Sequence, residues 1–255
     1  MLLSPCLDMI FVKEYATLPE RIRAAKAAGF EAVEFHLWRE KPLDEVKQAL
    51  DETGVRLTSF VVEPRRSLVD PAQHAEMLAA LDDSLAASQR LGSPPLIVAS
   101  GFTRPDVSRA DQHDAAVTVL KQAAARAEQA GVMLLLEPLN DRVDHPGMFL
   151  CSTTEALDMI ASVASPNLRL LYDVYHSTTM GEDMETVLAG RMDLVRHVHF
   201  AGVPGRHEPG TGTLDWPLIV RKLRVLGYEG PVGLEYKPTL PALESLAMTR
   251  AAIGL

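Results

Sequence analysis

Cysteine is scarce. Cys6 and Cys151 are the only two in 255 residues, too few for a disulfide framework, and neither belongs to a Cys-x-x-Cys pair of the kind that grips zinc. Long apolar runs are missing as well, and no segment approaches the roughly 18 apolar residues of a membrane helix. The opening MLLSPCLDMIFVKE lacks the basic stretch and long apolar core of a secretory leader. These absences together predict a reduced, cytoplasmic protein with no membrane partner. Positive charge is also short, with 25 Lys and Arg against 34 Asp and Glu and a net charge of −9. That balance argues against nucleic acid as a partner, because a phosphate backbone calls for a basic face. Low-complexity tracts and breaks in composition are absent too, so residues 1–255 read as one domain.

What is present is a repeating unit. A short apolar start, Leu2 to Asp8, is followed by helical spacing over Leu18 to Ala28 and a closing Gly29. Glu31 to His36 then alternates like a strand, Leu43 to Glu52 is helical with Gly54 as its stop, and Val55 to Val62 is β-branched and apolar. The rhythm continues through helices over Pro71 to Leu91, Ser108 to Ala130, Thr154 to Ala164, Asp183 to Ala189, Trp216 to Leu226 and Pro241 to Ile253. Between them fall strands at Pro95 to Ser100, Val132 to Glu137, Leu168 to Asp173, Val195 to Phe200 and Val232 to Tyr236. Several of these are continuously apolar, as expected of a parallel sheet covered on both faces. Eight strands, each followed by a helix, predict an α/β fold of the (β/α)8 TIM-barrel type. An open doubly wound sheet usually carries a Gly-rich turn after its first strand, and LSPCLDMIF has none.

In a barrel the chemistry sits at the carboxyl ends of the strands. The last four strands each turn polar there: VMLLLEP ends at Glu137, LRLLYD at Asp173, HVHF carries His199 and VGLEYKP carries Glu235. Three carboxylates converging without a counter-charge would repel one another and raise at least one pKa. Three carboxylates and an imidazole suit one divalent metal ion: Mg²⁺, Mn²⁺ or Co²⁺ foremost, with Zn²⁺ also admitted. The bland reading of each residue is a strand cap that hydrogen-bonds a loop amide.

Two further residues belong to this set. His176, three residues past Asp173, would reach the same pocket from a loop, and Arg206 could bind a carboxylate or a developing oxyanion through its planar fork. Arg206 lies in AGVPGRHEPGTG, whose glycines shape turns at a place where barrels also seat phosphates. His36 and Trp38 would line a pocket wall or pack in the core, Glu34 could support a ligand from behind, and Glu63-Pro-Arg-Arg66 is a polar loop after the third strand.

Several of these motifs, in order, resemble the hydroxypyruvate isomerase family, within the xylose-isomerase-like sugar isomerase and epimerase barrels. They are Glu137-Pro-Leu-Asn140, Pro146-Gly-Met-Phe-Leu150, Tyr172-Asp-Val-Tyr-His176, Pro204-Gly-Arg-His-Glu-Pro-Gly-Thr-Gly212 and Glu235-Tyr-Lys-Pro238, covering about half the chain from the fifth strand on. The resemblance implies Glu137, Asp173, His199 and Glu235 as metal ligands, Glu137 and Glu235 also as the acid/base pair, and His176 and Arg206 as holders of the substrate's oxygens. It implies a metal-dependent isomerase that moves a proton through an enediolate, interconverting hydroxypyruvate and tartronate semialdehyde or a related 2-oxo acid pair. The third ligand position departs from the pattern: hydroxypyruvate isomerases usually carry Gln there, whereas His199 is typical of ketose 3-epimerases. The segment after the third strand is also shorter and lacks their Arg-Glu-rich insertion. Outside this class stand an apurinic-endonuclease-type nuclease, which needs more histidine ligands and a basic face, and a non-catalytic metabolite-binding barrel, which needs only part of the ligand set. Apolar residues on the barrel helices are compatible with a homo-oligomer.

Overall fold

Short polar residues open most of the helices, and glycines close several of them. Thr17 accepts from the backbone N–H of Glu20 while the Glu20 carboxylate accepts from the N–H of Thr17 at 2.9 Å, a reciprocal cap on α1 (Leu18–Ala27). Ser108 and Ser152 cap α4 (Arg109–Ala130) and α5 (Thr153–Val163), and Gly54 ends α2 (Leu43–Thr53) in the left-handed conformation that lacks a Cβ penalty. The computed structural model describes residues 1–255. Its strands are β1 (Leu2–Pro5), β2 (Ala32–Val33), β3 (Arg56–Leu57), β4 (Phe60–Val61), β5 (Leu96–Val98), β6 (Leu134–Leu136), β7 (Leu168–Asp173), β8 (Val195–Phe200) and β9 (Pro231–Leu234). The remaining helices are α3 (His74–Arg90), α6 (Val174–Met180), α7 (Met184–Leu188), α8 (Trp216–Val225) and α9 (Ala242–Ile253).

Seven strands pair in parallel in the order β1-β9-β8-β7-β6-β5-β4, and β2 pairs with β3. The ring continues through the backbone: the N–H of Glu34 donates to Pro5 O at 3.0 Å, that of Leu7 to Glu34 O at 2.8 Å, and that of Val61 to His36 O at 2.9 Å. The sheet therefore curls into a parallel barrel wrapped by helices. Where the sequence predicts one third strand over Val55 to Val62, regular pairing is split. Residues near Arg56 pair with the second strand, and residues from Phe60 on pair with β5. No helix is long and apolar enough to cross a membrane.

One expectation is corrected. The stretch after Asp173 is the first turn of α6 rather than a loop, because the Asp173 carboxylate accepts from the N–H groups of Tyr175 and His176 at 2.7 and 3.1 Å and so caps a helix there.

Strand parity then places the chemistry. Alternate residues of a barrel strand face the interior. Ile97, Leu135 and Leu171 form a small apolar cluster apart from the main core, and two residues further along their strands stand Ala99, Glu137 and Asp173. On β8 the same step leads from His197 to His199, and from Gly233 on β9 it leads to Glu235. Along β6 and β7 the interior thus changes from apolar to ionisable within one layer.

Candidate active site

Glu137, Asp173, His199 and Glu235 meet at the carboxyl ends of their strands, all buried. The Nδ1 of His199 lies 3.2 Å from Glu235 Oε2, 3.6 Å from Glu137 Oε1 and 3.9 Å from Asp173 Oδ2. Glu137 Oε1, Asp173 Oδ2 and His199 Nδ1 are buried with no hydrogen-bond partner. Unpaired buried acceptors are costly. Three of them aimed at one small volume, with a fourth carboxylate oxygen beside them, are a donor set that a hard or borderline divalent cation satisfies.

Charges in this volume are strongly coupled. Burial raises the pKa of Asp173, the carboxylates of Glu235 and Glu137 add to the rise, and the balance against Arg206 and His199 leaves it at about 7. Burial opposes a charged His199 ring, but Glu34 and Glu235 raise its pKa well above the ordinary histidine value. Burial would also raise that of Glu235, yet Arg206 and His199 hold it well below the usual carboxylate range. Glu235 is the most tightly held carboxylate: His36 Nε2 is 2.7 Å from its Oε1 and Arg206 Nη2 donates to its Oε2 at 2.5 Å.

A donor atom from each of Glu137, Asp173, His176 and Glu235 also lies within 4.8 Å of the others, which would make His176 an alternative ligand. Its hydrogen bonds argue otherwise. The backbone N–H of Asn140 donates to His176 Nδ1 at 3.1 Å, and the Asn140 side-chain amide, whose oxygen accepts from the N–H groups of Val143 and Asp144, lies 2.6 Å from the same nitrogen. Burial and Arg206 hold the pKa of His176 down to about 3, so the ring is neutral. With Nδ1 accepting, the proton sits on Nε2, which has no partner. His176 therefore presents an N–H donor to the centre, and His199 would present its Nδ1 lone pair once a cation displaces the proton that its raised pKa retains.

Arg206 is seated by its surroundings. Its guanidinium stacks over Tyr175 at 5.3 Å, and its Nη1 approaches Asp144 Oδ1 at 3.9 Å. The Asp144 carboxylate in turn accepts from the Tyr175 hydroxyl at 2.6 Å and from the Asn140 amide at 2.9 Å. Arg206 itself has a φ of 55°, a left-handed conformation uncommon outside glycine. The loop around it is tied down by Glu208, whose buried carboxylate accepts from the N–H and hydroxyl of Thr239. Glu208 and the glycines of that loop thus shape it.

Below the centre lies a second group: Glu34, His197 and His199. His197 Nε2 is 2.9 Å from Glu34 Oε2, and the hydroxyls of Thr58 and Ser59 donate to the same oxygen at 3.3 and 3.4 Å. Burial raises the Glu34 carboxyl, but His199 and His197 outweigh it and bring it to about 2. His197 escaped the sequence reading although parity with His199 marks it, since two steps along a strand return to the same face. Asn140, Asp144 and Tyr175 carried no such signal, because they reach the site from segments whose path no periodicity describes.

A parallel barrel with carboxylates and an imidazole gathered at its strand ends defines a TIM-barrel enzyme with a candidate divalent-metal centre. The chain belongs to the xylose isomerase-like TIM barrel family, whose family model matches residues 22–252. Among its relatives, 2-oxo-tetronate isomerase of Cupriavidus necator is 31% identical over 255 residues, covering 97% of each chain. Hydroxypyruvate isomerase of Escherichia coli is 29% identical, with 92% of this chain and 93% of that protein covered. A crystal structure of "AP endonuclease, family 2" from Brucella melitensis superposes with a TM-score of 0.89 at 28% identity, covering 96% of each chain. The chain is an enzyme of the isomerase class.

Proposed function

We propose that this enzyme is a metal-dependent isomerase of small hydroxy-carbonyl acids. It would interconvert hydroxypyruvate and tartronate semialdehyde, or an analogous 2-oxo acid pair, by proton transfer through an enediolate. The observation that carries this reading is the convergence of Glu137, Asp173 and Glu235 on His199 Nδ1, with the donors of His176 and Arg206 beside them. Glu137, Asp173, His199 and Glu235 would hold a divalent cation, which when bound would polarise the substrate carbonyl and stabilise negative charge developing on its oxygen.

The protein's own groups supply the rest. Glu137 would take the proton from the carbon bearing the hydroxyl through whichever of its carboxylate oxygens is not given to the cation. The bond's electrons shift toward the carbonyl oxygen to give the enediolate, the proton returns to the neighbouring carbon, and the hydroxyl proton passes between the two oxygens. Arg206 and the Nε2–H of His176 would hold these oxygens and favour the charged state over the neutral ketone. Glu235, kept ionised and braced by His36 and Arg206, faces the same volume and completes the acid/base pair.

Return of the proton to the same carbon from the opposite side would invert it, and His199 at the third ligand position favours this epimerase reading. A nuclease reading gains nothing from the net charge of −9 or from His197 and Glu34, which are buried in the barrel floor beneath the centre. NMR in D₂O of the metal-loaded enzyme with hydroxypyruvate, tartronate semialdehyde, four-carbon 2-oxo acids and ketoses separates the readings. Deuterium uptake with conversion of a 2-oxo acid supports the isomerase, and uptake with inversion of a ketose supports the epimerase. No exchange with any of them would overturn both.

A further inference from the structure

A cavity of about 700 Å³ opens beside the centre. Its walls are three loops: the one after β4 with Arg65 and Arg66, the one after β5 with Phe102 and Arg104, and the one after β6 with His145. The His145 ring lies 5.6 Å from that of His176, so cavity and centre share a boundary.

The cavity is built rather than left over. The N–H of Leu68 donates to Ser100 O at 2.9 Å, that of Phe149 to Gly101 O at 3.0 Å and that of Thr103 to Gly147 O at 2.8 Å, joining all three loops. Gly101 permits the closest approach: at its φ of 83°, a Cβ would come within 2.9 Å of the Ser67 backbone. A three-carbon acid would occupy only a small part of such a volume, which falls in the range of sites for much larger ligands.

Its charges are not equivalent. Arg66 pairs with Glu76 at 2.6 Å and Arg104 with Asp70 at 3.2 Å. The Arg65 side chain has neither an ion pair nor a hydrogen bond within the protein, its backbone oxygen alone being used, by Arg66. Arg65, an exposed residue, lines the same cavity as His145, whose ring adjoins that of His176 at the centre.

We propose that this cavity is a subsite for the anionic far end of a substrate longer than three carbons, with Arg65 as the cation that reads a carboxylate or phosphate there. The word substrate rests on the isomerase reading; the binding site does not. An unpaired guanidinium offers a planar fork for either anion, and exposed Phe102 with Met148 gives the intervening carbons an apolar wall.

The test reads binding rather than turnover, so failure of the isomerase reading leaves it interpretable. The Mn²⁺-loaded enzyme is titrated calorimetrically with gluconate, sorbitol 6-phosphate and sorbitol, which share a six-carbon chain and differ in terminal charge. At least one anion is expected to bind ten-fold or more tightly than sorbitol, and which one identifies carboxylate or phosphate. Arg65→Gln should abolish that preference with sorbitol unchanged, and Arg65→Lys should restore part of it. A preference that survives Arg65→Gln, or equal binding of all three compounds, overturns the proposal.

Discussion

The Nε2 of His199 sits 3.2 Å from Oε1 of Glu34, on the edge of the ring turned away from the three carboxylates. Neither atom has a hydrogen-bond partner, and the negative charge of a carboxylate in that place favours a proton on Nε2 and the Nδ1 lone pair for a cation, the role outer partners of metal-ligating histidines commonly have. Glu34→Gln keeps the shape and removes the charge. Metal affinity measured calorimetrically is expected to fall roughly 10–100-fold, with the far-ultraviolet circular dichroism unchanged. Unaltered affinity would rule out this role for Glu34.

Metal binding should expel protons. In the metal-free protein Asp173 titrates at about 7 and His199 well above its ordinary value, so below neutrality both hold protons where a cation must bind. Affinity is therefore expected to rise with pH across the range around 7, because protons compete with the metal on the acid side. Titrations in two buffers of different ionisation enthalpy check this, and heats independent of the buffer would refute it.

Glu235 is expected to serve turnover more than metal retention. Glu235→Gln keeps an oxygen for the cation and for Arg206 while removing the basic carboxylate. Substrate-dependent deuterium exchange should drop at least 100-fold with metal affinity within about ten-fold of wild type, the scale of a lost acid/base group. Near-normal exchange would sink the assignment.

Much of this was legible because barrels obey simple periodicities. Apolar strands that turn polar at one end announced Glu137, Asp173 and Glu235, and the alternation of HVHF announced His199. The alternation of EAVEFH likewise pointed to Glu34 as a support from behind and to His36 as a wall or core residue, and they stand beside His199 and Glu235, although the strand is regular only over Ala32–Val33. The Asn140–Asp144–Tyr175 chain was illegible for another reason. Its contacts join α6 to the loop after β6, and no local pattern encodes which loops meet.

Gly233 reports on how closely the floor is packed. A Cβ there would lie 2.5 Å from His199 Cδ2 and closer still to Glu34 Oε1, and β9 is paired on both sides, so neither neighbour can yield without disturbing the centre. Gly233→Ala is expected to cost roughly 1–3 kcal/mol in denaturant unfolding, the usual cost of overpacking, and to weaken metal binding as well. A variant with wild-type stability and affinity would show that the floor has slack.

The tautomer of His176 leads to the last expectation. Its Nδ1 is occupied by the backbone N–H and the side-chain amide of Asn140, which leaves Nε2–H as the donor facing the centre. Asn140→Ala removes the amide and unties Asp144, which braces Arg206 from the other side, so both groups that would hold the substrate's oxygens loosen together. Metal affinity should stay near wild type, since Asn140 touches none of the ligands, while kcat/KM for the reacting acid falls roughly 10–100-fold, as when a positioned donor is lost. The imidazole nitrogen shifts of His176 supply an independent readout: a protonated Nε2 in the wild type and a mixture of tautomers in the variant. If the wild type instead carries its proton on Nδ1, His176 would be a ligand after all, and its removal would then weaken metal binding as strongly as removal of His199.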